Sequence, residues 1–182
     1  MAKTSIVNMV ISTALEEHIN LDKLASTLPN TEYNPEQFPG LIMRIKDPKT
    51  SALIFTSGRV VCTGARNLKD AERSIQNIIE ALKKIKVNIK IKPELHVQNM
   101  VAAGQLGYDL NLNKLAISLN NVEYEPEQFP GLVYKIRDPK TSFLLFGNGK
   151  IVVTGIKNED DLNRALVVLE TNLGKVMEIP KK

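Results

Sequence analysis

The sequence predicts an α+β fold built from two copies of one half-domain, and three observations support this prediction. EYNPEQFPGL at Glu32–Leu41 returns as EYEPEQFPGL at Glu123–Leu132, an offset of 91 residues. Between Tyr33 and Phe55, 16 of 23 positions are identical to Tyr124–Phe146. Each copy also reads as several short strands followed by a long amphipathic helix. A 91-residue offset is too long for a solenoid unit, so we expect pseudo-two-fold symmetry.

Each half begins with a strand and a short helix. Ser5–Ser12 is rich in β-branched residues, which favour a strand. Asn20 is a suitable N-cap for a helix over Leu21–Leu28. A short strand at Thr31–Tyr33 then leads into the Pro35–Gly40 loop, where two prolines and a glycine predict a rigid, exposed connection.

The second part of each half reads as three strands and a helix. Leu41–Lys46, Ala52–Phe55 and Val60–Thr63 are separated by turn sequences that favour antiparallel hairpins. Asn67 is then a predicted N-cap for an amphipathic helix, and Asn158 is its counterpart in the second half.

The predicted order is therefore β-α-β-β-β-β-α in each half, with the first repeat at residues 1–91 and the second at 92–182. The segment 87–95 joins the halves and is predicted to be partly extended. Two helices can cover only one face of five antiparallel strands. Joining the halves edge to edge predicts one curved ten-stranded antiparallel sheet, with four helices on the convex face and a bare concave face.

Bulk composition describes an ordinary globular protein, with 43% hydrophobic and 24% charged residues in 182. No apolar run is long enough for a membrane span, and no signal peptide is recognised. The single cysteine, Cys62, fits a reducing compartment such as the cytoplasm. The net charge of +4 lies in residues 1–91, since residues 92–182 contain 11 basic and 11 acidic residues.

Alternation along the strands sorts side chains into two sets. The set expected to face the helices is Met9, Ile11, Met43, Ile45, Ala52, Ile54, Val60 and Cys62. The set expected on the bare face is Asn8, Val10, Ser12, Ile42, Arg44, Leu53, Phe55, Arg59, Val61 and Thr63, with Asn99, Val101, Val133, Lys135, Leu144, Phe146, Lys150, Val152 and Thr154 in the second half. An apolar sheet face of this extent requires a partner.

The bare face fits the minor groove of double-stranded DNA. That groove offers a degenerate set of acceptors, so apolar contact with a few Asn and Thr side chains is sufficient. Cations on this face can reach phosphates, and they are Arg44, Arg59, Lys135 and Lys150. Two aromatic pairs related by the repeat can act as apolar wedges between base steps, and they are Phe38 with Phe55 and Phe129 with Phe146.

Other interpretations of these residues stay open at this point. A phenylalanine at a strand end is usually core, and Asn8 and Asn99 could be solvated edge residues. The acidic residues Glu123, Glu125 and Glu127 could form a solvated loop. The same bare face could bind a protein partner, or form a homodimer in the absence of DNA.

Enzymatic function has no supporting group of residues. His18 and His96 are not equivalent in the repeat, and with one cysteine they form no set at zinc-binding spacing. No nucleotide-binding glycine loop or nucleophile motif occurs. Gly64 and Gly155 follow strands and are predicted to be simple turns. We therefore expect no catalytic residue, metal or cofactor.

The repeated motifs together identify a resemblance. EYxPEQFPGL, LIF/LLF, SGR/NGK and VVCTG/VVTG closely resemble the TATA-box-binding protein family of archaeal type, over about residues 5–177. The resemblance implies a saddle-shaped general transcription initiation factor that binds A·T-rich TATA elements, bends them and recruits transcription factor B and, indirectly, RNA polymerase. It implies an archaeal, cytoplasmic, nucleoid-associated protein. The chain ends Ile179-Pro-Lys-Lys, so no acidic C-terminal tail is expected to contribute.

The resemblance also implies roles for individual residues. Phe38, Phe55, Phe129 and Phe146 match intercalating residues, and Asn8 and Asn99 match asparagines that hydrogen-bond base acceptors. Groove contacts fall on Val10, Leu53, Val61, Thr63, Val101, Leu144, Val152 and Thr154. Factor B contacts fall on Glu125, Glu127 and Gln128, the last of which replaces a leucine of eukaryotic members.

Overall fold

The duplicated sequence folds as two units in a computed structural model that describes residues 1–178. The first-repeat unit is Asn8–Gln98, and the second-repeat unit comprises Met1–Val7 and the chain from Asn99 onward. The C-terminal sequence for which we expected no acidic-tail function, from Ile179, lies outside the described residues. The division of the repeats between residues 91 and 92 stays a prediction.

The first repeat forms five strands and two helices, and its strands are ordered β2-β3-β4-β5-β1. The register of β3 with β4 and of β4 with β5 is antiparallel, as the hairpin turns predicted. The elements are β1 (Lys3–Ala14), α1 (Leu21–Thr27), β2 (Thr31–Glu32), β3 (Leu41–Ile45), β4 (Thr50–Ile54), β5 (Arg59–Ala65) and α2 (Leu68–Lys83).

The second repeat reproduces this plan with the strand order β6-β10-β9-β8-β7. Its elements are β6 (His96–Gln105), α3 (Leu112–Ser118), β7 (Val122–Glu123), β8 (Leu132–Arg137), β9 (Lys140–Leu145), β10 (Lys150–Ile156) and α4 (Glu159–Met177). The predicted α+β class is confirmed, since over residues 1–178 each repeat forms five strands and two helices. The segment 87–95 forms no strand. None of the described helices combines the length and apolarity of a membrane span.

Asparagine caps begin all four helices. The Asn67 side-chain oxygen accepts a hydrogen bond from the Asp70 backbone N–H at 2.8 Å, and Asn158 accepts one from Asp161 at 2.8 Å. Asn20 caps α1 in the same way. Each cap satisfies a backbone donor that the first helical turn leaves unpaired, which stabilises the helix by about 1 kcal/mol.

The core of each unit lies between the sheet and its helices. In the first-repeat unit, all eight strand residues predicted to face the helices are buried. Six of them, all except Met9 and Ile11, pack in one cluster with apolar residues of both helices, including Leu24 from α1 and Ile78 from α2. On the opposite face, Ser12 lies across from Val61, the side that its strand position predicts, but it is only 6% exposed. Its hydroxyl accepts a hydrogen bond from the Gln98 side-chain amide at 2.7 Å, which explains how this polar group is buried.

Candidate nucleic-acid interface

The sheet face opposite the helices is called the open face, and it carries the predicted groove-contacting residues. Along β5, Val60 and Cys62 are buried against the helices, while Val61 is half-buried and Thr63 is exposed on the open face. Side chains along β4 and β10 alternate in the same way. The side chains of the predicted groove contacts are half-buried or exposed in both units. They are Asn8, Val10, Leu53, Val61 and Thr63 in the first-repeat unit and Asn99, Val101, Leu144, Val152 and Thr154 in the second.

A β-bulge in β5 fixes the side chain of Asn8. Met9 pairs with Ala65 but Val10 pairs with Thr63, so Gly64 has no partner in the ladder. Gly64 adopts a φ of 102°, which favours glycine. Its free N–H donates to the Asn8 Oδ1 at 2.6 Å, while the Thr63 hydroxyl lies 3.2 Å from the Asn8 Nδ2. The bulge thus holds the amide in one orientation.

The second-repeat unit contains the same arrangement. The register of β10 with β6 shifts between Val153 and Ile156, and Gly155 adopts a φ of 93°. The Gly155 N–H donates to the Asn99 Oδ1 at 2.8 Å, and the Asn99 Nδ2 lies 3.2 Å from the Thr154 hydroxyl. The prediction that Gly64 and Gly155 are simple turns is therefore wrong, because both lie inside strands.

The bulge determines which hydrogen-bonding group each asparagine presents. Only the amide oxygen can accept the glycine N–H, so the nitrogen must lie on the other side of the amide. The nitrogen carries two hydrogens, and the neighbouring threonine accepts one of them. Within residues 1–178, Asn8 and Asn99 each retain an N–H donor for a ligand. A·T and T·A pairs present only acceptors in the minor groove, whereas a G·C pair adds a donor there.

The first aromatic pair lies over a glycine. The rings of Phe38 and Phe55 pack edge to face, with centroids 5.9 Å apart. Phe38 is 42% exposed although it is a large apolar side chain. A Cβ on Gly40 would lie 2.7 Å from the Phe38 ring and 3.1 Å from the Phe55 ring, so only glycine lets both rings approach the backbone this closely. The pair is thus held in place, while the Phe38 ring remains accessible.

The second aromatic pair repeats this geometry. Phe129 and Phe146 have centroids 6.0 Å apart, and Phe129 is 44% exposed. A Cβ on Gly131 would lie 2.7 Å from Phe129 and 3.0 Å from Phe146. The strand-end phenylalanines for which a core role stayed open, Phe55 and Phe146, are half-buried, whereas the core residues of both units are less than one-tenth exposed.

The four predicted phosphate-binding cations are all exposed, but they differ in their partners. Arg44 forms an ion pair with Glu32 at 3.2 Å, and Lys135 lies 3.9 Å from Glu123. Both pairs are solvent-exposed, so they are weak and a phosphate can replace the carboxylate. Arg59 and Lys150 form no ion pair with any residue that the structure describes, so their charge is fully available.

Two cations that the sequence reasoning missed lie beside Lys135. A shallow cavity of about 310 Å³ in the second-repeat unit is lined by Lys135, Arg137 and Lys140 together with Ser142. Arg137 and Lys140 pair across the β8–β9 hairpin. The strand alternation could have identified Arg137, because it is two residues from Lys135 and lies on the same face. The cavity gathers positive charge suited to a phosphate.

The predicted factor B residues lie in the exposed loop between β7 and β8. The loop is closed by hydrogen bonds from the Gln128 and Phe129 backbone N–H groups to the Glu125 carbonyl, each at 3.0 Å. Glu125, Glu127 and Gln128 are exposed. Among residues 1–178, no cluster of three or more His, Cys, Asp or Glu side chains could hold a metal ion.

Comparison with known proteins finds similarity along nearly the whole chain. A family model described as transcription factor TFIID, or TATA-binding protein, matches residues 3–85 and 94–175. A TATA-box-binding protein of Picrophilus torridus is 51% identical over 178 residues, which is 97% of each chain. A TATA-box-binding protein of Archaeoglobus fulgidus is 49% identical over 90% of this chain and 91% of the relative.

A solved structure, Methanococcus jannaschii TBP, is similar in fold with a TM-score of 0.90 and 47% sequence identity. The similarity covers 96% of this chain and 99% of that one. The matched ranges include both aromatic pairs, both bulges and both loops described above.

Proposed function

Because the chain belongs to the TATA-binding protein family of general transcription factors, we propose that its open face binds an A·T-rich promoter element in the minor groove. The relatives are archaeal TATA-binding proteins rather than enzymes. The proposed site of action is chromosomal DNA in the archaeal cytoplasm, with no catalytic step and no cofactor.

The observation that carries this proposal is the pair of fixed asparagines. Each Asn is oriented by a bulge amide and keeps an N–H donor toward the open face. Facing an A·T or T·A pair, that donor meets an acceptor; facing a G·C pair, it also meets the guanine amino group. Val10, Val61 and their counterparts Val101 and Val152 supply apolar contact with the groove. The face is thus suited to A·T-rich DNA without reading the major groove.

The aromatic pairs supply the proposed deformation of the duplex. Phe38 and Phe129 are exposed rings on rigid loops, and each is supported by a second ring behind it. Apolar wedges that enter a base step unstack it and kink the duplex. Burial of one phenylalanine side chain is worth about 1.5–3 kcal/mol, which helps offset the cost of unstacking. We propose one kink for each aromatic pair.

Phosphate contacts are proposed for Arg44, Arg59, Lys135 and Lys150. In the second-repeat unit, Arg137 and Lys140 add to this set through the cavity that they share with Lys135. Such contacts position the protein and give affinity without sequence information. Binding should therefore weaken as salt concentration increases.

Recruitment of transcription factor B is proposed for the β7–β8 loop. Its exposed carboxylates are Glu125 and Glu127, and the hydrogen bonds from the Gln128 and Phe129 N–H groups to the Glu125 carbonyl fix the shape of the loop that carries them. The basic surface of a partner would complement these charges. RNA polymerase would be recruited indirectly, through factor B.

A gel-shift assay tests the proposal directly. The protein is titrated against a TATA duplex and a G·C-rich duplex of equal length, with and without factor B. We expect a selective shift with the TATA duplex and a further supershift with factor B. Equal binding to both duplexes would contradict groove reading of A·T pairs. Homodimer formation without DNA stays a prediction, and sedimentation at several concentrations with and without the TATA duplex measures it.

A further inference from the structure

Two like charges face each other in the β8–β9 hairpin of the second-repeat unit. Arg137 and Lys140 are directly opposite in the antiparallel ladder, and both are exposed. Residues placed in this way have Cβ atoms about 4.5–5.5 Å apart, so like charges there destabilise the hairpin. Asp138 lies between them in sequence but pairs with Arg164 at 2.9 Å. Over the described residues 1–178, neither opposed cation takes part in an ion pair with a carboxylate.

The neighbouring pair of the same ladder adds a third cation and a hydroxyl. Lys135 is opposite Ser142, and both side chains lie on the same face as the two opposed cations. Positions two residues apart along a strand are separated by about 6.7 Å. The four side chains therefore project from a patch of about 5 by 7 Å, and they line the cavity of about 310 Å³ described above.

The first repeat has the same charges but not the same pairing. Lys46 and Lys49 are the repeat equivalents of the two opposed cations. There, however, β3 ends at Ile45, β4 begins at Thr50, and the ladder closes with the pairing of these two residues. Both lysines thus lie in the turn beyond the ladder. The close cross-strand placement of two cations is therefore a property of the second-repeat hairpin.

The turn that precedes β8 also differs from its equivalent before β3. In the first repeat, the Asn30 side-chain amide donates to the Arg44 carbonyl at 2.8 Å, which attaches the turn to β3. Its equivalent Asn121 adopts a φ of 57° and lines the cavity, and among residues 1–178 its side chain forms no matching hydrogen bond. Ile136, which also lines the cavity, is half-buried, whereas its equivalent Ile45 is buried. The second-repeat unit is thus more open beside these cations.

The side chains of the cavity indicate a multiply charged oxyanion. Lysine and arginine side chains only donate hydrogen bonds, so the ligand must supply acceptors. The Arg137 guanidinium presents a planar fork that matches two oxygens of a phosphate. A single carboxylate carries one negative charge, which would leave two of the three cations unneutralised. A phosphoanion with several charges neutralises all three and removes the repulsion across the hairpin.

The size and lining of the cavity indicate a small inorganic ligand. Its volume of about 310 Å³ is at the lower end of the range for ligand pockets, which is about 300–1,000 Å³. Among the described residues, none of those that line it is aromatic, so the base of a nucleotide would find no ring on which to stack. A diphosphate fills more of this volume than a single phosphate and carries more charge.

We propose that this cavity binds free inorganic phosphoanions of the diphosphate class, held by Lys135, Arg137 and Lys140. A phosphate of the DNA backbone offers the same chemistry with a single charge. The consequence for DNA rests on the proposed function, in which these three cations contact backbone phosphates. A bound diphosphate then competes with DNA at the second-repeat unit, so promoter binding becomes sensitive to the concentration of free diphosphate.

Isothermal titration calorimetry with sodium diphosphate, without DNA or divalent metal, tests the site itself. The test variant is R137Q/K140Q. The matched control is K46Q/K49Q, which removes the same charge from the equivalent positions of the first repeat. We expect the wild type and the control to bind one diphosphate, and the test variant to bind it about tenfold less tightly, because it loses two charge-assisted contacts. Circular dichroism checks the fold, and K140Q alone replaces the double variant if that variant does not fold.

Two results of the calorimetry would overturn the proposal. An equal decrease in diphosphate affinity in the test and control variants would show that only net charge matters. A triglutamate peptide that binds as tightly as diphosphate would show that the cavity does not select a phosphoanion.

Competition with DNA separates the free anion from the DNA backbone as the source of the phosphate. Anisotropy of a fluorescent TATA duplex is measured with diphosphate or with potassium chloride at equal ionic strength. We expect diphosphate to weaken DNA binding by the wild type and by K46Q/K49Q about two- to fivefold more than chloride does, as for the loss of an exposed ion pair. R137Q/K140Q should respond equally to both salts.

The two assays distinguish failure of the site from failure of the proposed function. Diphosphate binding in the calorimeter without competition would support the site and contradict the proposed phosphate contacts of Arg137 and Lys140. If the protein showed no selective binding to the TATA duplex, the proposed function would fail while the calorimetry still tested the site. Equal competition by diphosphate and chloride, with no binding in the calorimeter, would overturn the site.

Discussion

The open faces of the two repeat units are nearly alike, whereas their loops and helix sides differ. Both faces have a bulge-fixed asparagine and an aromatic pair over a glycine. The minor groove presents nearly the same acceptors for A·T and T·A pairs, so both units can contact it with one set of residues. A function that only one of the two units performs must then depend on the residues that differ between them.

Two such differences stand out. The loop before the exposed phenylalanine contains Asn34 in the first repeat and Glu125 in the second. Behind the sheet of the first-repeat unit, the Thr50 and Ser74 hydroxyls lie 2.8 Å apart in the core. The second repeat has Ala165 in place of Ser74 and Val153 in place of Cys62. The variants below test which of these differences affect function, and which of the features shared by the two units are required for it.

The largest effect is expected from Asn99→Asp, with Asn8→Asp as its partner in the other unit. Aspartate can still accept the Gly155 N–H, so the bulge should persist. It loses the N–H donor, however, and places a negative charge against base acceptors. We expect affinity for a TATA duplex to fall at least about 100-fold, measured by fluorescence anisotropy, with an unchanged circular dichroism spectrum.

If the two asparagines act alike, each single variant should lose affinity by a similar factor. Retention of wild-type affinity by either variant would show that the amide nitrogen of that unit does not contact the groove.

Phe146→Ala is expected to have the next largest effect. The change removes the ring that supports Phe129, so that side chain loses its fixed position at the rim. We expect affinity to fall about 10- to 100-fold, in line with about 1.5–3 kcal/mol for one phenylalanine, and bending to decrease. Fluorescence resonance energy transfer between the ends of the duplex measures the bend. Phe55→Ala is the matched variant, and wild-type bending in both would contradict the wedge role.

The loop difference is tested by Glu125→Arg combined with Glu127→Arg. Reversal of two exposed charges should weaken factor B binding about tenfold or more on preformed protein–DNA complexes, while DNA binding by the protein alone should persist. A supershift titration measures this. The control is Asn34→Arg with Glu36→Arg in the first repeat. An equal decrease in factor B binding in both double variants would show that factor B does not prefer the second-repeat loop over the first-repeat loop.

The smallest effect concerns the buried Cys62. Burial raises the pKa of its thiol, and hydrogen bonds with Ser74 and Thr50 partly oppose that rise. A raised folded-state pKa contributes stability that is present below the unfolded value of about 8.5 and is lost as pH rises through it toward the folded value. Cys62→Val, which copies Val153, should change stability at pH 7 by less than about 1.5 kcal/mol.

That variant should also lose less stability than the wild type between pH 7 and pH 10, as measured by chemical denaturation. Equal loss of stability by the wild type and the variant over this range would show that the folded-state pKa of the thiol is not raised above its unfolded value.

Much of the fold could be predicted from the sequence because its signals are local. Strand alternation correctly assigned Met43 and Val60 to the core, and asparagine caps correctly marked the start of α2 and α4. Because the second half repeats the first, each strand or helix assigned in one half also applied to the other. Burial of Ser12 could not be predicted, because its partner Gln98 comes from a distant part of the chain.

The site was predicted as a set of residues but not as a geometry. Gly64 and Gly155 were interpreted as turns, since the sequence alone does not show whether a glycine before a helix ends the preceding strand or lies inside it. Only the strand register shows that each glycine forms a bulge whose N–H holds an asparagine. Likewise, the ion pair of Arg44 with Glu32 depends on β2 pairing with β3. Such cross-strand contacts leave no local pattern.

Inosine substitution tests the central claim most directly. An I·C pair lacks the guanine amino group, so it resembles A·T in the minor groove while keeping the major-groove edge of G·C. Binding is measured by anisotropy on three duplexes of equal length, in which the TATA element contains A·T, I·C or G·C pairs. If the open face reads the minor groove, affinity for the I·C duplex should be close to that for A·T, and G·C should bind far more weakly. Equally weak binding of the I·C and G·C duplexes would contradict minor-groove recognition.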